Sequence, residues 1–267
     1  MKNYFCVVSY LGHSYRGWQK QKDYQTVQGK LEECLSLYFD TPITIFGAGR
    51  TDAGVNAIGQ TFSFQVERPI PSEESFLFAL NHRLLPSDIS ILSIEEKPLS
   101  FHARHSSVSK TYRYAFRLGK KEPLESVTVA QMGTRPFSLG AFSAALRALL
   151  GRHKFWDFTN KEEDVGDYIR TIYRISTKVD SLESPSLISI TFEGNSFMTY
   201  QVRIMMGAAL RVGFGQMSLE EFKGHLDSRE RRILNFKAPA EGLTFVSVSY
   251  DQRKEETPKL EGDLADV

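Results

Sequence analysis

Gly47-Ala48-Gly49-Arg50-Thr51-Asp52-Ala53-Gly54-Val55-Asn56-Ala57 lies between the apolar run 43–46 and the alternating segment Thr61-Phe62-Ser63-Phe64-Gln65-Val66. It reads as a glycine-rich turn between two strands, and it decides against two nucleotide-binding folds. A dinucleotide fingerprint needs its third glycine at the sixth position, where Asp52 stands. A phosphate loop needs Lys-Ser or Lys-Thr after its last glycine. Gly49 and Gly54 have the right separation, but Val55-Asn56 follow them. A carboxylate at the apex would also repel phosphates. What remains is a flexible hairpin whose glycines permit positive φ and close backbone approach. Arg50 and Asp52 are near enough in sequence to pair. Taken alone, the segment also reads as Thr51 or Asp52 capping a helix, with Arg50 on the surface.

Outward from this turn the chain alternates strands and helices. Residues 2–10 read as a strand and 26–39 as a helix, with Thr26 as N-cap and Val27, Leu31, Leu35 and Phe39 as its apolar residues. Residues 61–66 repeat at period two, as a half-buried strand does. Residues 72–84 read as a helix between Pro71 and Pro86, and 89–95 as a strand. A second series follows: strand 111–118, helix 138–150, strands 171–179 and 187–192, a long apolar helix 197–212 and a last strand 243–250. This pattern predicts an α+β fold with antiparallel sheets. The two series predict an N-terminal half over 1–107 and a C-terminal half over 108–250. Residues 251–267 are polar, acidic and without aromatics, and are predicted to be a flexible tail.

A chain of 267 residues makes one large domain or two small ones. With 41% apolar and 24% charged residues, the composition is that of an ordinary globular protein, which excludes collagen-like and wholly disordered chains. No apolar run approaches the ~18–20 residues that span a bilayer. Residues 1–10 alternate like a strand rather than a signal peptide. The cysteines, Cys6 and Cys34, are predicted to be buried, reduced thiols of a cytoplasmic protein. With no Cys-x-x-Cys and no His-Glu-x-x-His, no metal site is predicted.

The net charge of +1 conceals segregation. Between Lys97 and Lys121 there are seven bases and no acid, and a second stretch, 194–218, also lacks acids and carries Arg203 and Arg211. Such basic segments suit a face that binds a polyanion. In strand 111–118, Tyr112, Tyr114, Phe116 and Leu118 share one face, and Thr111, Arg113, Ala115 and Arg117 share the other. Aromatic rings beside basic residues stack bases and hold a phosphate backbone; a core-facing stripe with solvated arginines explains most of the same strand.

Gly49-Arg50-Thr51-Asp52-Ala53-Gly54-Val55 closely resembles the signature of the TruA family of tRNA pseudouridine synthases. Other segments agree in order and spacing: Gly17-Trp18-Gln19, Thr26-Val27-Gln28, Leu84-Leu85-Pro86, Phe101-His102-Ala103-Arg104, Tyr112-Arg113-Tyr114, Arg170-Thr171-Ile172, Phe197 with Val202-Arg203, and Ala238-Pro239-Ala240-Glu241-Gly242-Leu243. The likeness covers roughly residues 4–250. The chain departs from the family's pattern at Asn56, where His is usual, at Leu11, where Asp is usual, and at Thr199-Tyr200-Gln201 before the arginine of the long helix. The departures stand where contact with RNA would alter substrate range.

The resemblance implies a pseudouridine synthase fold of two ferredoxin-like halves, their mainly antiparallel sheets side by side and the active site in a central cleft. It implies a homodimer that isomerises uridine to pseudouridine in the anticodon stem-loop of tRNA, at positions 38–40, without cofactor or metal. Asp52 matches the catalytic carboxylate, Arg203 the arginine beside it and Tyr112 the active-site tyrosine. Burial under a flipped base would push the Asp52 carboxyl up, and a neighbouring guanidinium would hold it down, which suits Arg203. Arg50 is the second choice for that role and otherwise a contact to the RNA backbone. His102, Arg104, His105 and Lys110 are further candidates for backbone contacts. Two other readings are a non-catalytic RNA-binding protein on the same scaffold and an Asp-dependent small-molecule hydrolase. The hydrolase lacks a recognisable second catalytic group and leaves the basic aromatic strand unexplained.

Overall fold

The computed structural model describes residues 1–160, 168–252 and 256–267. In chain order the main elements are β1 (Lys2–Tyr10), α1 (Val27–Phe39), β2 (Phe46–Gly47), β3 (Asn56–Val66), α2 (Glu73–Leu84), β4 (Ile89–Lys97), β5 (Ser109–Arg117), β6 (Ala130–Gln131), α3 (Leu139–Ala148), β7 (Gly151–Lys154), β8 (Ile169–Val179), β9 (Leu187–Gly194), α4 (Gln201–Gly213), α5 (Leu219–Gly224), β10 (Leu243–Ser249) and β11 (Lys259–Gly262). The chain is mixed α and β with mostly antiparallel pairing. It divides into two compact units, one of residues 1–108 and 244–251, the other of residues 109–243 and 252–267.

In the first unit β1 lies between β3 and β4 and pairs antiparallel with both. The other edge of β3 takes β2 antiparallel at Phe62–Ser63 and β10 parallel at Asn56–Ala57. Alternation puts Tyr4, Cys6, Val8 and Tyr10 on the buried face of β1. Val27, Leu31, Cys34 and Leu35 form the buried stripe of α1. The Thr26 hydroxyl accepts from Gly29 N at 3.3 Å and starts that helix, as expected, and the Ser72 hydroxyl starts α2 in the same way. Both cysteines are buried and unbridged.

In the second unit β9 lies between β5 and β8, antiparallel to both, with β6 parallel on β5 and β7 antiparallel on β8. Tyr112, Tyr114, Phe116 and Leu118 are all buried, so the aromatic face of the 111–118 segment is chiefly core. Nearly every side chain of α4 is buried, consistent with its apolar sequence on all sides.

Three expectations change. The long helix starts at Gln201, not at residue 197, because Tyr200 adopts a left-handed backbone with φ 62° and interrupts the first turn. Strand β10 groups with the first unit, not with a C-terminal half. The flexible tail is corrected in its described part. Arg253, Lys254 and Glu255 lie outside the described residues, but β11 pairs in parallel with β8, and Leu264 is buried. The Ser143 hydroxyl donates to Leu264 O at 2.7 Å, and Leu264 N donates to Thr177 Oγ1 at 2.9 Å. An acidic segment with few apolar residues is thus held by Leu264, by backbone pairing and by side-chain hydrogen bonds, among them Ser176 Oγ to Glu261 and Val179 N to Asp263. Leu264→Ala is expected to lower stability to urea by about 2–5 kcal/mol, as loss of a fully buried leucine side chain does. An unchanged denaturation midpoint would mean that the segment contributes nothing.

Candidate active site

No helix follows Thr51 or Asp52, so neither is a helix cap; β3 begins at Asn56. The turn from Asp52 to Val55 is closed by Val55 N donating to Asp52 O at 3.1 Å, and its third residue, Gly54, has φ 79°, a conformation that favours glycine.

The expected flexible hairpin is instead clamped on nearly every side. Ala48 N donates to Thr61 O, and Gln60 Nε2 donates to Gly49 O at 3.0 Å. Trp18 N donates to Thr51 O at 3.0 Å. The hydroxyls of Tyr10 and Thr51 share a buried hydrogen bond of 2.8 Å. Burial pushes the Tyr10 phenol up, so it remains protonated and keeps that bond across the ordinary pH range. Gly12 lies against the Gly54–Val55 backbone, and Gly12 N donates to Asn56 Oδ1 at 2.8 Å. Each such bond contributes about 1 kcal/mol net. Together they hold the backbone on both sides of Asp52 while its side chain remains half-buried and Arg50 exposed.

Strand β3 also anchors a second turn. Ala103 N donates to Ser63 Oγ, and Ala103 O accepts from the Tyr250 hydroxyl at 2.9 Å, which is itself 2.6 Å from Thr61 Oγ1. This turn presents Arg104 and His105 to solvent. His102 also serves the turn itself. Its Nδ1 accepts backbone N–H groups from Arg104 at 3.1 Å and His105 at 3.4 Å. Burial, with the charges of His105 and Arg104, pushes its imidazole below the ordinary value. By accepting at Nδ1 the imidazole braces the turn.

In the second unit Tyr112 is 7% exposed and meets the Phe197 ring edge-on, with centroids 5.1 Å apart. Two residues along β5, the Tyr114 hydroxyl donates to Pro239 O at 3.1 Å. Burial pushes the Tyr114 phenol up, Glu241 adds to that, and the positive charge of Arg203 opposes it. Arg203 is fixed at both ends of the residue: its Nε donates to Ala238 O at 2.9 Å, and its own carbonyl accepts from Ala238 N at 2.9 Å. The 238–242 segment therefore positions Arg203 relative to β5. Lys110, half-buried, stands at the start of β5 opposite Gly194.

The structure thus gathers Arg50, Asp52 and Arg104 on segments anchored to β3, and Lys110, Tyr112 and Arg203 around β5 and α4. Two departures from the family pattern prove structural. Asn56 is 3% exposed and holds Gly12, and Gln201 is fully buried with its Oε1 accepting from Met198 N at 2.9 Å. Sequence reading missed Tyr10 and Phe197 as supports, since their partners lie far away in the chain, and Gln60, whose polar side chain in an alternating strand announces no partner. Among the described residues no cluster of His, Cys, Asp or Glu could hold a metal ion, and no helix is long and apolar enough to cross a membrane.

Comparison with known proteins agrees with the motif. A family model described as tRNA pseudouridine synthase matches residues 6–106 and 145–251. A tRNA pseudouridine synthase A of Anoxybacillus flavithermus is 36% identical over 254 residues, 94% of this chain and 100% of the relative. Proteins of the same name from Exiguobacterium sp. and Geobacillus sp. are 34% and 35% identical, over 94% and 92% of this chain and 99% and 97% of their own lengths. A clamped Gly-Arg-Thr-Asp turn, matched along nearly the whole folded chain, leaves one assignment: the chain belongs to the tRNA pseudouridine synthase family.

Proposed function

We propose that this enzyme, an isomerase forming pseudouridine in tRNA, acts on uridines of the anticodon stem-loop at positions 38–40, with Asp52 as its catalytic carboxylate. The carrying observation is the clamped turn, which holds an aspartate on a preorganised backbone, as a reacting group requires. In the reaction the N1–C1′ bond breaks, the uracil rotates, C5 bonds to C1′, C5 gives up its proton and N1 takes one up. The pyrimidine keeps all its atoms, and nothing is oxidised. Ionised Asp52 supplies the electron pair that starts this sequence, as nucleophile or as base.

Arg203 is assigned to the charge of Asp52. Its fixed Nε and its influence on Tyr114 support a guanidinium held in one place. Tyr112 is assigned to the uracil ring, because a target nucleotide must leave its stack and find another aromatic partner. Arg50, Arg104 and Lys110 are assigned to the RNA backbone. The chain order of β1-α1-β2-β3-α2-β4 and the sheet order β4-β1-β3-β2 support a ferredoxin-like first half. A homodimer and a cytoplasmic location complete the reading.

Release of tritium from C5-labelled uridine in tRNA tests it. Stoichiometric release is expected; tRNA binding without release from any tRNA would favour the non-catalytic reading. That rival loses support from Asn56 and Gln201, whose side chains serve the fold. Tyr112→Phe keeps the ring and is expected to slow release less than Asp52→Ala does. Equal losses with unchanged tRNA affinity would exclude stacking as the main role of Tyr112.

A further inference from the structure

A groove of about 570 Å³ opens beside the Asp52 turn within the first unit, and no residue assigned so far lines it. It is lined by residues 13–16, by Asp23, Tyr24 and Gln25, and by Ala53 and Gly54, the residues directly after Asp52. Its frame is built from backbone. Arg16 N donates to Gln25 O at 2.9 Å, and Gln21 Nε2 donates to Arg16 O at 3.1 Å, closing the 16–25 loop on itself. Trp18 N, on the same loop, donates to Thr51 O, so the groove and the Asp52 turn are tied together.

Two side chains in this groove are unusual. Tyr24 is 56% exposed, a large aromatic ring offered to solvent. Arg16 is also exposed, and its guanidinium lies 5.8 Å from the centroid of the Tyr24 ring. Among the described residues Arg16 makes no ion pair, whereas His13, also in the groove, is 3.8 Å from Asp88. An unneutralised guanidinium beside an exposed ring matches what single-stranded RNA offers at each step, a phosphate and a flat base. The arrangement stands within two residues of a carboxylate assigned to a uridine.

We propose that this groove is a subsite for a nucleotide flanking the target uridine, its base stacked on Tyr24 and its phosphate held by Arg16. The proposal rests on the tRNA reading above and deepens it. A target base leaves the stack more easily when a neighbour is already unstacked and held, so such a subsite contributes to the extrusion that the reaction requires. Asp23, the acid in the groove, opposes a phosphate there and limits the affinity.

The test is equilibrium binding of a tRNA substrate by the parent, Tyr24→Ala, Tyr24→Phe and Arg16→Ala, with tritium release measured alongside. Tyr24→Ala is expected to weaken binding about 10-fold and Tyr24→Phe much less, as loss of a stacking ring predicts. Arg16→Ala is expected to lower the slope of log affinity against log salt by about 0.7, the contribution of one single-stranded phosphate. Removing the base from each nucleotide flanking the target, in turn, should weaken the parent about 10-fold at one of them. At that position Tyr24→Ala should lose nothing more. Variants that bind as the parent does, or a Tyr24→Ala loss that is the same with and without each flanking base, would overturn the subsite. A parent that binds tRNA but releases no tritium would overturn the isomerase reading while the binding comparison still decides the groove. A parent without affinity for tRNA would overturn both.

Discussion

Asp52→Ala is expected to slow pseudouridine formation by about four orders of magnitude while leaving tRNA affinity near that of the parent. Two physical facts set the size. The carboxylate is the group whose electron pair begins the exchange of N1 for C5 at C1′, so its loss removes the chemistry rather than weakening a contact. The turn that carries it is held by bonds that do not involve its side chain: Trp18 N to Thr51 O, Gln60 Nε2 to Gly49 O and Tyr10 to Thr51. The substitution should therefore leave the loop in place, and thermal melting should report an unchanged fold. Asp52→Asn, which keeps the shape and removes the charge, is expected to be nearly as slow. Either variant retaining more than about a tenth of the parent's rate would show that the aspartate is not the reacting group.

Gly12→Ala is expected to have the next largest effect, although Gly12 is assigned no contact with substrate. An added Cβ would lie 2.1 Å from Val55 O and 2.6 Å from Val55 C, both backbone atoms of the Asp52 turn. Neither atom can rotate aside as a flexible side chain would, so the turn or strand β1 must move. A clash of this kind costs about 3 kcal/mol, which lowers the melting temperature by about 12 °C in a unit of a little over 100 residues. Displacement of a reacting group by about 1 Å lowers the rate about 100-fold. Melting curves and tritium release measured together check both numbers. Gly140→Ala is the control: nothing lies within 4 Å of the added atom, so neither quantity should fall. A Gly12→Ala protein as stable and as fast as the control would show that the turn yields freely.

Much of the local structure was legible. Thr26, Ser72 and Ser138 each mark a helix start, because capping is settled within a few residues. Strands β1 and β3 follow from period-two alternation, although β3 starts five residues before the alternation becomes clean. Reading failed where a backbone conformation or a partner leaves no signal in the residue pattern. The start of α4 depends on Tyr200 accepting a left-handed backbone, and no residue pattern announces that. The 256–267 segment looks like a solvated tail by composition, and only β8 supplies the edge on which β11 pairs. Asn56 and Gln201 read as departures within reach of RNA until Gly12 and Met198 appear as their partners.

The amino-acid order alone determined which groups are available for chemistry and which segments fold as strand or helix. Those properties depend on side-chain type and on spacing over a few bonds. Tertiary structure decided that the Asp52 turn is rigid and that Arg16 and Tyr24 share a groove with the residues following Asp52. Those outcomes rest on hydrogen bonds and contacts across many residues, which exist only once strands β1 and β3 have paired and the loops between elements are held against them.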